Sequence, residues 1–389
     1  MTDYSKISTN WNYPTAIRFG VGRLLELADA CQQLSMFKPL LVTDSGIAEL
    51  PMVEQALAAN RAKGLPTGIF SNIKPNPTGQ NIDDGLAVYR EGGYDGVIAF
   101  GGGSALDAAK AIALMAGQKL PLWTFEDVGD NWTKVDPDGV APIVAVPTTA
   151  GTGSEMGRAS VIVQEETHSK KIIFHPRMLP GIVIADPETT VGLPAGLTAA
   201  TGMDALSHCL EPYSAQGFHP MADGIAVEAI RLIHRWLPLA VKNGADLSAR
   251  ANMLAAAGMG ATAFQKGLGA MHSLAHPLGA IYDAHHGLLN AVLMPYVLEF
   301  NRPVLEERMT RLAAWIGLPN PSFTAIMDWI LEIRSEFNIP ETLAGLGVDD
   351  SRVDEIAEMA AADPSTPSNP IKAGPREMKQ IFLSALQGK

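Results

Sequence analysis

Hydrophobic and polar positions in the first half of the chain alternate between two periods. "KPLLVTDSG" (38–46) is a short apolar run closed by a turn signal, and "YDGVIAFGGGS" (94–104) is another that runs into glycine. "APIVAVPTTAGTGSE" (141–155) has the same form with a Gly/Thr-rich exit. Runs of this kind predict buried strands. Between them, "NIDDGLAVYREGG" (81–93) and "ALDAAKAIALMA" (105–116) carry apolar residues at helical spacing. The alternation predicts a mostly parallel sheet with helices on its faces. After "IVIADPETTVGLP" (182–194) the character changes. "LTAATGMDALSHCLEPY" (197–213) and "PMADGIAVEAIRLIHRWLPLAV" (220–241) are helical in period, with little strand signal. The pattern predicts an α/β nucleotide-binding domain over 1–193 and an all-α domain over 194–389. "ADPSTPSNPIKAGP" (362–375) reads as a loop before a last helix.

Composition narrows the class. The 389 residues are 47% hydrophobic and 18% charged, a globular balance. A net charge of -12 disfavours nucleic acid or an anionic membrane as partner. Two cysteines, far apart and in no C-x-x-C pair, give neither a disulfide framework nor a thiolate zinc site. "MTDYSKISTNWNYP" lacks the apolar core of a signal peptide, and no apolar run is long enough to span a bilayer. The expectation is a cytoplasmic protein acting on a small molecule.

Two loops carry candidate cofactor chemistry. Gly101, Gly102, Gly103 and Ser104 leave a strand and open a helix, where bare amides and the helix dipole suit a phosphate. This is not the G-x-G-x-x-G fingerprint, since Leu106 stands where its third glycine would be. "PTTAGTGSE" (147–155) sets Thr148, Thr149 and Thr152 after another strand. Two such loops suggest a nucleotide lying across the strands' carboxyl ends. Asp44, ending "VTD", is placed to accept from ribose hydroxyls, and its charge would favour NAD over NADP. A turn or cap aspartate is the simpler role for a lone Asp in that place.

The metal candidates lie in the second half. Asp204 and His208 are at i and i+4 and share a helical face, as do His272 and His276. Four of the nine histidines fall within "HSLAHPLGAIYDAHHG" (272–287). Fourteen residues separate His272 from His286, about 21 Å of rise on a straight helix. Ligand bonds are only about 2 Å, so the segment must turn back if both bind one ion. Pro277, Gly279 and Gly287 are candidate break points. Spacing leaves open which of His272 and His276, and which of His285 and His286, face the site.

"GGGSALDAAKAIA", "PTTAGTGSE", "ATGMDALSHCLEPY" and "HSLAHPLGAIYDAHHGLLNAVLMPYVLEFN" together resemble the iron-containing (group III) alcohol dehydrogenases. "NYPTAIRFGVG" and "PSNPIKAG" extend the likeness to essentially the whole chain. The resemblance implies a dehydroquinate synthase-like fold and NAD(P)-linked hydride transfer between a primary alcohol and its aldehyde. It implies one divalent ion, Fe²⁺ or alternatively Zn²⁺, held by Asp204, His208, His272 and His286. His276 matches a histidine outside that ligand set and is a candidate proton carrier, while His285 matches a variable position and is expected to support the ligands from behind or to be structural. Asp44, Gly102, Gly103, Ser104, Thr148, Thr149 and Thr152 match cofactor-contacting positions, and Asp107 is counted with them. Lys170 matches a lysine that reaches the cofactor ribose. A homodimer is a further family expectation. Two departures stand out: "GRASVI" (157–162) lacks an Asn that some members place near the cofactor, and "NPIKAG" replaces the NPR of many relatives. Rivals on the same fold are a maleylacetate reductase-like enzyme and an NAD- and metal-using lyase. Lys266, shortly before His272, raises an acid-bearing aldehyde as substrate.

Overall fold

The computed structural model describes residues 15–167 and 169–388. The N-terminal reading of residues 1–14 lies outside them.

Eight strands are present among the described residues: β1 (Ala16–Phe19), β2 (Pro39–Val42), β3 (Gly68–Phe70), β4 (Gly96–Gly101), β5 (Ile143–Pro147), β6 (Ala159–Gln164), β7 (Ser169–Phe174) and β8 (Ile182–Ala185). Six of them form one sheet in the order β1-β8-β5-β4-β2-β3, and every pairing is parallel. β2, β4, β5 and β8 are buried along their whole length. That explains their continuous apolar runs, since both faces of a parallel sheet are covered. On one face Ile98, Phe100, Val144, Val146 and Ile184 pack with Leu27, Cys31 and Val53 from α1 (Leu27–Gln33) and α2 (Pro51–Ala62). α3 (Gly79–Glu91) and α4 (Gly103–Met115) complete the unit. α4 is Ala-rich and, Asp107 apart, buried from Ala105 to Met115, packed against β4 and the antiparallel β6–β7 ribbon.

Strand order reverses at β2. β3 lies on one side of it, whereas β4, β5 and β8 follow on the other. The carboxyl ends at such a switch point form the usual ligand crevice of a doubly wound sheet. Asp44 follows β2, Gly102 follows β4 and Thr148 follows β5, so all three stand on that edge.

From Ala195 onward the described residues contain helices, 3₁₀ turns and loops but no strand. The helices are α5 (Ala195–Ser214), α6 (Pro220–Lys242), α7 (Leu247–Ala263), α8 (Ala270–Tyr282), α9 (His286–Ile316), α10 (Phe323–Glu336), α11 (Val353–Ala361) and α12 (Pro375–Gln387). α5 packs on α6 and α9, and α8 packs on α9 and α11. The described chain forms two compact units, and the first holds Thr15–Pro194 together with Asn243–Leu254. Asn243–Leu254 departs from the single cut read from sequence. Buried Arg250 ties it back, donating to the carbonyls of Gly244 at 2.9 Å and Leu193 at 3.0 Å. Among the described residues the second unit holds Ala195–Lys242 and residues 255–388.

Candidate functional site

In the helical unit, one face of α5 carries Asp204, His208 and Glu211, at i, i+4 and i+7, all buried. His272 and His276 sit on α8, and His286 is the first residue of α9. The chain reversal that this requires falls at Asp283–His285, where Asp283 takes a left-handed conformation with φ of 52°. Pro277 and Gly279 are accommodated inside α8 and do not break it. Gly287 serves differently from a break: a Cβ there would stand 2.3 Å from the Ala200 carbonyl oxygen. The bare glycine lets α9 begin directly against α5.

The side chains converge. His272 Nε2 lies 3.0 Å from His208 Nε2, and Asp204 Oδ2 lies 3.9 Å from His208 Nδ1. Asp204, His208 and His272 each offer a ligand atom within 4.8 Å of the others. His286 stands just outside this triad, its Nε2 3.6 Å from Asp204 Oδ1 and its ring centroid 5.4 Å from that of His272. Burial, followed by the nearby His208, holds His272 well below the ordinary histidine value, so it is a neutral lone-pair donor at pH 7. His208 Nδ1 is buried without a hydrogen-bond partner. A buried carboxylate with imidazole lone pairs turned towards it fits a divalent cation. His285 caps α9 through its backbone and is exposed.

Four residues that the sequence reading passed over complete this cluster. Glu211 Oε2 is 2.6 Å from His272 Nδ1, while its Oε1 accepts from Met271 N at 2.8 Å. Burial pushes Glu211 up to about 7, against hydrogen bonds that hold it down. Asn290 Nδ2 lies 2.9 Å from Asp204 Oδ1 and 3.1 Å from His286 Nε2. Asp363 Oδ2 lies 2.7 Å from His276 Nδ1, and the His276 ring stacks beside His286 with centroids 5.7 Å apart. Asn369 Oδ1 accepts from Ala270 N at 3.1 Å, at the start of α8. Helical spacing reaches Glu211 from His208 and Asn290 from His286; Asp363 and Asn369 arrive on a loop that carries no such period.

Lys266 is not displayed to a substrate. Its side chain is 3% exposed and donates to Asp223 Oδ1 at 2.6 Å, which removes the observation behind the acid-bearing aldehyde. Cys209 is buried, and burial pushes its thiol up, so it is an inert packing residue.

In the α/β unit the two loops meet. Gly102 is the N-cap of α4 and offers no side-chain bond to its free amides. A Cβ on Gly103 would stand 2.5 Å from Thr152 Cγ2, so glycine is what lets the loops touch. Thr148 N donates to Gly101 O at 2.9 Å, and Ser104 Oγ donates to the Pro75 carbonyl. Asp44 Oδ1 accepts from Gly46 N and Ile47 N at 2.9 and 3.2 Å, the cap role weighed for it, while Oδ2 faces Gly101. Asp107 is committed internally: Oδ1 accepts from Ser154 Oγ at 2.5 Å and Oδ2 from Val161 N at 2.9 Å. It holds the Thr-rich loop to α4. Lys170 is partly buried on β7, opposite Val163.

Comparisons with known proteins place these two clusters in a family. The family model of iron-containing alcohol dehydrogenase matches residues 14–187, and that of the Fe-containing alcohol dehydrogenase family C-terminal region matches 198–386. The chain is 38% identical over 384 residues to 4-hydroxybutyrate dehydrogenase of Cupriavidus necator, aligning 96% of this chain and 99% of that protein. It is 36% identical over 385 residues to NAD-dependent methanol dehydrogenase of Bacillus methanolicus, covering 97% and 100%. A crystal structure of 1,3-propanediol oxidoreductase superposes with a TM-score of 0.92 at 37% identity, covering 97% of this chain and all of that one. Two family models spanning both units, and relatives matched along nearly their whole length, establish that the chain belongs to the iron-containing alcohol dehydrogenase family.

Proposed function

We propose that the chain catalyses reversible hydride transfer between a primary alcohol, or its aldehyde, and NAD, with one divalent ion held by Asp204, His208, His272 and His286. The observation that carries this reading is the buried Asp204 side chain and the imidazoles converging on it from α5, α8 and α9. Fe²⁺ is the ion proposed, and the three-nitrogen, one-oxygen set also suits Zn²⁺. A bound ion supplies Lewis acidity towards an alcohol or carbonyl oxygen, and NAD supplies the hydride acceptor.

The chain's own residues do the rest. The Gly102–Ser104 amides at the α4 N-terminus and the hydroxyls of Thr148, Thr149 and Thr152 bind the cofactor phosphates and sugars. Asp44 and Lys170 take the ribose, and the Asp44 charge disfavours the 2′-phosphate of NADP. Asp107 acts on the cofactor through the loop it holds. Asp363 fixes the proton of His276 on Nδ1, leaving Nε2 as the atom that takes or gives a proton. The likeness to 4-hydroxybutyrate dehydrogenase supports a second substrate class, an aldehyde bearing an acid group. A cytoplasmic homodimer belongs to the same reading; no helix among the described residues is long and apolar enough to cross a membrane.

The test is NADH oxidation with simple, hydroxylated and acidic aldehydes after loading Fe²⁺ or Zn²⁺, combined with metal analysis of two variants. His286→Ala should lose metal and turnover together, and His285→Ala should keep both. Full metal occupancy in His286→Ala with loss in His285→Ala would reverse the assignment, and no turnover on any aldehyde would end the dehydrogenase reading.

A further inference from the structure

The start of α8 has no cap of its own. Its N-cap is Gly269, which offers no side chain, and the first amides of the helix would be orphaned in a buried setting. Two side chains distant in sequence satisfy them: Asn369 takes Ala270 N, and Glu211 takes Met271 N. Glu211 then uses its second oxygen on His272 Nδ1 at 2.6 Å. One buried carboxylate therefore caps the helix at Met271 and grips His272, the proposed ligand, at the very next position. Space around it is closed: a Cβ on Gly269 would stand 3.0 Å from Glu211 Oε1.

We propose that Glu211 is a positioning residue of the metal site, holding His272 in the tautomer that turns an unprotonated Nε2 towards Asp204 and His208, and so setting affinity for the ion. The proposal rests on the metal reading above. An imidazole has one proton to place when neutral. A carboxylate at Nδ1 takes that proton's hydrogen bond and leaves the Nε2 lone pair facing His208, 3.0 Å away. Carboxylates that orient a metal-bound histidine in this way typically govern affinity by about 10–100-fold.

Glu211→Gln is nearly isosteric and separates the two roles. Its amide oxygen can still accept from Met271 N, preserving the cap. Its NH₂ would donate to His272 Nδ1 and drive the proton onto Nε2, where it opposes a metal. The experiment measures Co²⁺ and Zn²⁺ dissociation constants of metal-free wild type, Glu211→Gln, Glu211→Ala and His272→Ala by competition with a chromophoric chelator. Thermal melts of the metal-free proteins accompany it. The expected result for Glu211→Gln is a Kd raised about 10–100-fold with a metal-free melting temperature no lower than that of wild type, whereas Glu211→Ala loses both. Wild-type affinity in Glu211→Gln, with binding lost in His272→Ala, overturns the role of Glu211 alone. Absence of stoichiometric binding in the wild type overturns the metal reading, and this proposal with it.

Discussion

Glu155 is a carboxyl buried where its charge is poorly tolerated. It is 2% exposed, and burial pushes it up to about 7 from its ordinary 4.5, only partly offset by its backbone hydrogen bond and by Lys110. The sign follows from linkage. Between those two values the folded protein keeps a proton that the unfolded chain has released, so stability falls as pH rises through the window. The full effect amounts to at most about 3 kcal/mol above pH 7. Glu155→Gln should therefore be more stable than wild type at pH 8, and melting temperatures from pH 5 to 8 should fall less steeply. Some slope should remain, because Glu211 is held near 7 as well. An identical slope in both proteins would show that Glu155 does not titrate in that window.

At the scale of elements, the proposed metal cluster depends on how closely α9 can begin against α5. Gly287 decides that distance, since its added Cβ meets the Ala200 carbonyl, a backbone atom that cannot swing away. Gly287→Ala should destabilise the protein by about 1–3 kcal/mol and release the ion by carrying His286 away from Asp204. Denaturant melts and metal analysis check it, and full occupancy at wild-type stability would refute it. Much of this arrangement is legible in sequence. Helical spacing identifies the faces of α5 and α8, and ligand bond lengths require a reversal before His286. The place of the reversal is not legible, because Pro277 is tolerated within α8 and Asp283 supplies the left-handed turn instead. Asp363 and Asn369 are hidden for another reason: a loop has no period, so which of its side chains point inward depends on the helices that frame it.

For the whole molecule, the residues proposed to bind the ion lie in the helical unit, and those proposed for NAD lie in the α/β unit. Metal removal should therefore abolish turnover while an NADH fluorescence titration returns the same Kd, and adding Fe²⁺ or Zn²⁺ back should restore turnover. Loss of NADH binding on chelation would contradict this separation. The ion should also raise the melting temperature, since a ligand at 100 times its Kd adds about 2.7 kcal/mol to the folded state.

The sequence by itself determined the class of each half, because hydrophobic period and buried length are local properties that a chain writes directly. Continuous apolar runs meant β2, β4, β5 and β8, and helical spacing meant α5 and α6. Only the tertiary structure decided which polar side chains do which work. Asp107, Lys266 and Glu211 are each a lone charged residue in sequence. Distant partners make the first a loop anchor, the second a buried ion pair and the third a grip on His272. A buried polar group must find a partner, and that partner is fixed by how the helices and strands pack rather than by its neighbours along the chain.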